Sequence, residues 1–209
     1  SSVMSIRIVL RARVYWKQKE FQTIMSAIAS NLQAVRSRIA KAAIDAGRLP
    51  GALVLLPVSK PPPPARAPAA NQFGQRAFGE NYVQEAIDKA RATADLDLEW
   101  HFIGPLQSNK TRLIAENFAW VHSIERLRIA ERLSAQRPDS LPPLQVCVQV
   151  NVSGEASKSG CAPDEALALC QAVAALPRLN LRGLMAIPET ADDFAAQRLP
   201  FHRLREIFA

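Results

Sequence analysis

No apolar run in the chain approaches the roughly eighteen residues that a membrane-crossing helix requires, so no such helix is expected. Cysteine is scarce. Cys147, Cys161 and Cys170 are odd in number, form no CxxC pair and have no histidine at zinc-ligand spacing. That pattern argues against a disulfide framework and against structural zinc. Cys147 in an apolar strand and Cys170 on an apolar helix face read as buried thiols, which fits a reducing, cytoplasmic compartment. No G-x-G-x-x-G follows the first strand pattern, which counts against a dinucleotide fold. There is no G-x-S-x-G either, and no acid is evident behind a histidine, so a hydrolase triad finds no support. The three histidines, His101, His122 and His202, are scattered, with no ligand pair at helical spacing.

Charge of one sign is in excess, but locally. The 209 residues carry a net charge of +7. Residues 1–24 hold Arg7, Arg11, Arg13, Lys17 and Lys19 against Glu20 alone, and the remainder is nearly balanced. Without a basic stripe or interleaved aromatics, neither a nucleic-acid nor a membrane partner is expected. The apolar patch in this segment is too short and too arginine-rich for a secretory signal.

What is present is an alternation of strand and helix patterns. "IASNLQAVRSRIAKAAIDAG" places Ile28, Leu32, Val35, Ile39 and Ala43 on one helix face, ended by Gly47. "ALVLLPVS" is a continuous apolar run, expected as a strand buried on both faces. Further strands are expected at "QRAFGEN", "LEWHFIG", "WVHSI", "LQVCVQVNV" and "LRGLMAI", six in all. Helices are expected between them, one with Ser108 as N-cap and one opened by Pro163, with Pro200 interrupting the last. Such alternation predicts a parallel sheet, either open and doubly wound or closed as a (β/α)8 barrel. Six strands are two short of a barrel.

In parallel α/β folds ligands meet the C-terminal ends of the strands. The polar residues there are Ser59 and Lys60, Glu80 and Asn81, His101, His122 and Ser123, then Asn151 and Ser153, with Met185 and Pro188 at the sixth end. Lys60 is the most informative. A lysine at the lip of a buried strand is desolvated, its pKa falls, and the free amine can form a Schiff base with an aldehyde or ketone. It can equally snorkel to water. The loops "VNVSGEASKSG" and "FIGPLQSNK" suit recognition of phosphate or polar groups through backbone N–H, while Lys110 and Lys158 read equally well as solvated lysines.

In order and spacing, "VSK", "FGENYVQEAIDK", "WHFIGPLQSNK", "VHSIERLRIAERL", "VQVNVSGEASKSG" and "LRGLMAIPE" resemble the pyridoxal phosphate homeostasis proteins, single-domain relatives of the alanine racemase barrel. The resemblance covers about residues 25–209, with 1–24 as a basic extension. It implies a (β/α)8 TIM barrel of the alanine-racemase type, here with about six of the eight strands. It further implies that pyridoxal 5′-phosphate (PLP) is held as a Schiff base on Lys60, with Asn81, His101 and Met185 lining the cofactor. The family is regarded as a carrier of PLP without an established reaction, so a monomer serving PLP-dependent apo-enzymes is expected rather than an enzyme. The alternative is a PLP-dependent racemase or lyase, or a Schiff-base lyase using Lys60. A racemase needs a second base on the other face of the cofactor, and the only tyrosines are Tyr15 and Tyr82.

The chain departs from the family pattern in three places. The phosphate-binding elements after the seventh and eighth strands do not occur before Ala209. Residues 1–24 precede the family's usual start at Met25. "PPPPARAPAANQF" stands where the family has a helix, and Pro61–Pro64 with Pro68 are expected to forbid it, as a compensated frameshift would.

Overall fold

A helix of 28 residues, α1 (Gln18–Asp45), opens the computed structural model, which describes residues 18–58, 66–153, 159–189 and 191–208. As predicted, Ile28, Leu32 and Ile39 are half-buried and Ala43 is buried along one face, though Val35 is 38% exposed. Gly47 ends the helix with φ +66°, its N–H donating to the Ile44 carbonyl and that of Arg48 to Ala43. The left-handed residue satisfies carbonyls that the helix end would otherwise leave open.

The described residues fall into two compact units, one within 1–55 and 62–75, the other within 56–61 and 76–209. In the first, α1 is accompanied by a 3-10 turn at Pro50–Ala52 and by helix α2 (Arg66–Gln72). The Arg36 guanidinium donates to the Phe73 carbonyl and the Gln75 side chain, and Gln75 Nε2 donates to the Leu55 carbonyl.

Helix α2 corrects the expectation that prolines exclude a helix here. Pro68 is its third residue, and the first-turn N–H groups of a helix have no intrahelical partner to lose. Pro61–Pro64 lie outside the described residues.

The second unit is built on a five-stranded, all-parallel sheet: β1 (Ala77–Glu80), β2 (Glu99–Phe102), β3 (Trp120–Ile124), β4 (Leu144–Gln149) and β5 (Leu179–Met185). The spatial order is β1-β2-β3-β4-β5. A doubly wound sheet reverses its order at a switch point. Unbroken sequential order is the winding of a barrel, so of the two closures the alternation allows, the barrel type is the one formed.

The described part of the apolar run, residues 52–58, is not the two-faced buried strand expected. Val54 is 80% exposed, and within residues 53–58 only Val58 pairs, in a single parallel bridge with Gly79. The Gly79 N–H donates to the Pro57 carbonyl, but Pro57 has no N–H to return, which confines the ladder to that bridge.

Helices α3 (Val83–Ala92), α4 (Thr111–Asn117), α5 (Leu127–Gln136) and α6 (Ala166–Ala174) follow successive strands and pack on their chain neighbours. The core lies between them and one face of the sheet. Phe78, Phe102, Val121, Val146 and Val148 are buried there, and Phe102 meets Phe118, at the end of α4, edge-on. Three helix details differ from expectation. Ser108 begins a 3-10 turn (Ser108–Lys110) and accepts from Thr111 Oγ1 rather than capping α4. Pro163 lies in a turn before α6. Helix α7 (Phe194–Phe208) runs through Pro200 without a break; none of its residues is buried, so water can satisfy the carbonyl the proline leaves free.

Candidate functional site

At the C-terminal rim of the sheet, the backbone is held at very close quarters. A Cβ on Gly104 would stand 2.3 Å from the Asn81 carbonyl oxygen, so the β1 and β2 exits approach to a distance only glycine permits. The Ser123 hydroxyl, near the end of β3, donates to the Gly104 carbonyl at 2.6 Å. The "HFIGP" glycine is therefore a positioning residue that the list of polar side chains passed over.

Beyond β4, Val150 forms a parallel bridge with Cys161, and Asn151 N–H donates to the Cys161 carbonyl. Gly160 sits at φ +117°, 2.6 Å (as a Cβ) from Asn151 N, and its N–H donates to Glu125. That amide is thus spent on a carboxylate of the protein rather than left for an anion. Ser153 Oγ donates to Asn151 Oδ1. Asn151, Val152, Pro163, Arg203, Glu206 and Ile207 line an open cleft of about 420 Å³ here.

The expected site residues fare differently. Lys60 lies outside the described residues, as do Ser59 and Lys158. Asn81 is exposed at the β1 exit, and Met185 is half-buried at the β5 end, its carbonyl accepting from Val150 N–H. Glu80 does not line the rim: it is 1% exposed and forms an ion pair with Lys89 of α3 at 2.5 Å, in the helix layer. His101 is the next-to-last residue of β2, near the strand end as expected, on the face turned away from the helices, beside Glu99, two residues earlier on the same face.

That face carries an unforeseen cluster. His101 Nε2 is 2.8 Å from Glu99 Oε1, and His101 Nδ1 is 2.9 Å from His122 Nε2. The Trp120 ring stacks on His101 at 5.2 Å and 6°. Arg182 lies over Trp120, 5.6 Å from the ring, and reaches Gln145. It is the extra residue of an irregularity in the β4–β5 register, where Val146 pairs with Leu181 but Cys147 with Gly183. Such a bulge re-aims a side chain. Branched apolar residues normally fill this face of a barrel.

Two expectations are corrected here. An acid does stand behind a histidine, and two histidines 21 residues apart do meet, because one strand–helix–strand repeat returns the chain to the adjacent register. Burial lowers the pKa of His101, against the opposing pull of Glu99. Burial, with the His101 charge second, lowers that of His122 to about 4. Among the described residues no group of three His, Cys, Asp or Glu side chains could hold a metal ion. Cys147 is buried as expected, but Cys170 is only half-buried and Cys161 takes its place among the buried thiols; desolvation raises the Cys147 and Cys161 thiols to about 11.

Residues 64–209 match the family model "Alanine racemase, N-terminal domain". A protein of Pseudomonas aeruginosa named pyridoxal phosphate homeostasis protein is 61% identical over 183 residues, covering 88% of this chain and 80% of that one. The chain belongs to the pyridoxal phosphate homeostasis protein family. The Escherichia coli member is 55% identical over 83% of this chain and 75% of its own. Among solved structures, PipY of Synechococcus elongatus with PLP bound superposes with a TM-score of 0.74 and 35% identity, covering 87% of this chain and 80% of PipY. Alanine racemase of Corynebacterium glutamicum, at 19% identity and a TM-score of 0.63 over 88% of this chain and 49% of the racemase, shares the fold.

Proposed function

We propose that this chain binds PLP and takes part in its intracellular homeostasis, holding the cofactor as a Schiff base on Lys60. The observation that carries the reading is that PipY, 35% identical and of the same fold, has been solved with PLP bound. The rim fits such a ligand chemically. Asn81, Asn151 and Ser153 offer hydrogen-bonding side chains, and Arg203, beside the cleft, offers a cation for an anionic group. The parallel Val58–Gly79 bridge runs the segment that leads into Lys60 alongside β1. When bound, PLP supplies an aldehyde for capture by an amine and an electron-withdrawing ring.

A carrier role is favoured over a racemase role. Racemisation needs an acid–base group on each face of the cofactor, and Tyr82, at the start of α3, is 65% exposed to solvent. Asn81 and Met185 are proposed as lining residues, with His101 acting from below the rim. A monomeric carrier in the cytoplasm, delivering PLP to apo-enzymes, completes the proposal. Among the described residues no helix is long and apolar enough to cross a membrane.

The test is a visible absorption spectrum of the chain with added PLP, then borohydride reduction and peptide mapping. The expected result is a reducible adduct on Lys60, lost in Lys60→Ala with the fold retained. An adduct that persists in Lys60→Ala, or maps elsewhere, refutes the assignment.

A further inference from the structure

The tautomers of the cluster on the helix-free face follow from its geometry. A carboxylate only accepts hydrogen bonds, so His101 Nε2 must carry the proton that points at Glu99 Oε1, 2.8 Å away. In the neutral ring, Nδ1 is then a lone pair, and the proton in the 2.9 Å contact must sit on His122 Nε2. That leaves Nδ1 of His122 as a lone pair, with no hydrogen-bond partner among the described residues. One carboxylate thus sets the proton positions of two rings in series.

The chain of contacts also has a direction. His101 pairs in register with Trp120, so His122 stands two residues further along the strands, as His101 stands two residues beyond Glu99. The cluster climbs from the start of β2, where the Glu99 side chain is 49% exposed, toward the C-terminal rim. Trp120, stacked on His101, screens the middle, where the His101 side chain is 8% exposed. Among the described residues, the other charged or titratable groups on this face are Arg182, over Trp120, and Cys147, on β4 beside it.

We infer that Glu99, His101 and His122 form a polarised proton relay, with Glu99 as its solvent end and Nδ1 of His122 as a base directed toward the rim. A proton arriving at His122 Nδ1 releases the one on Nε2 to His101 Nδ1. That ring in turn releases its Nε2 proton to Glu99, which returns it to water. One proton enters and one leaves, and both rings end neutral. The relay deepens the proposed function and rests on it only for its destination. An amine at the rim must shed a proton before its nitrogen can attack an aldehyde, and this is the kind of proton the relay takes up. His101 and Glu99 are positioning residues in this scheme, since each acts through His122.

The test begins with histidine nitrogen NMR on the full chain without added ligand, comparing wild type with Glu99→Gln. Glutamine keeps the shape but can donate as well as accept, so it no longer dictates the tautomers. The relay predicts that the tautomer populations of both His101 and His122 change, although Glu99 has no direct hydrogen bond to His122. A change confined to His101 overturns the relay. The second measurement is the pH profile of the rate at which added PLP becomes borohydride-reducible. Glu99→Gln and His122→Gln are expected to be about tenfold slower near neutral pH, with the profile displaced to higher pH. Unchanged profiles in both variants overturn the relay's role at the rim. If wild type itself forms no adduct, the proposed function fails instead, and the NMR comparison alone decides the relay.

Discussion

Acidification should destabilise this protein, and His122 is one reason. Burial, and secondarily the His101 charge, holds its pKa down from 6.5 to about 4. In the unfolded chain the ring takes up its proton near the ordinary value. Between the two values the unfolded state binds more protons than the native one, so stability falls as pH falls from about 6.5 toward about 4 and is fully present above that window. Taken at face value, the shift amounts to about 2.5 kcal/mol between about pH 7.5 and about pH 4.5. The ring is only half-buried, and solvent screening reduces the expected loss to about 1–1.5 kcal/mol.

Geometry adds to this. A proton added to His101 enters at Nδ1 and sets two N–H groups against each other across the 2.9 Å contact unless the second proton moves on, whereas one added to His122 enters at its own Nδ1 and leaves that contact intact. The assay is urea unfolding at both pH values for wild type and for His122→Gln, which keeps a neutral donor and acceptor and cannot charge. The variant cancels the background of all other titrating groups. Wild type should lose about 1 kcal/mol more than the variant on acidification. Parallel losses in the two proteins would refute the argument.

Two further outcomes follow from the packing. Gly104→Ala should cost about 2–4 kcal/mol, because its Cβ would stand 2.3 Å from the Asn81 carbonyl oxygen and only backbone movement relieves the clash; a urea midpoint within error of wild type would refute the close approach. Arg137→Ala should cost about 3–5 kcal/mol. The guanidinium, 5% exposed, donates to the carbonyls of Ala115, Phe118 and Pro142 at 2.7–2.9 Å, satisfying the C-terminal end of α4 and holding the segment that leads into β4. Arg137→Lys should restore only part of this, since one ammonium cannot span three acceptors; full recovery in denaturant unfolding would count against the geometry.

Much of the sheet was readable from local pattern. Runs such as "WVHSI" and "LQVCVQ" combine β-branched and apolar residues at strand length, and they form β3 and β4 where expected. The reading failed where a local rule had a local exception. "ALVLLPVS" has the composition of a buried strand, but Pro57 removes a ladder donor, and the segment keeps one bridge. Pro68 and Pro200 are helix breakers by rule, yet one sits in a first turn, where no donor is required, and the other in a helix with no buried face. Glu80 looked like a rim residue by its place at a strand end, but Lys89, one helical segment later, draws it into the helix layer.

The sequence by itself determined the alternation of strands and helices, the family, and Lys60 as the amine to test. These follow from short-range periodicity and from motif order, which survive without knowledge of which residues touch. Only the tertiary structure decided the sequential winding of the sheet, the pairing of Glu99 with His101 and His122, and the contact at Gly104. Each depends on the register between strands about twenty residues apart. Register is set by the packing of whole strand–helix repeats against one another, and no single stretch of the chain contains it.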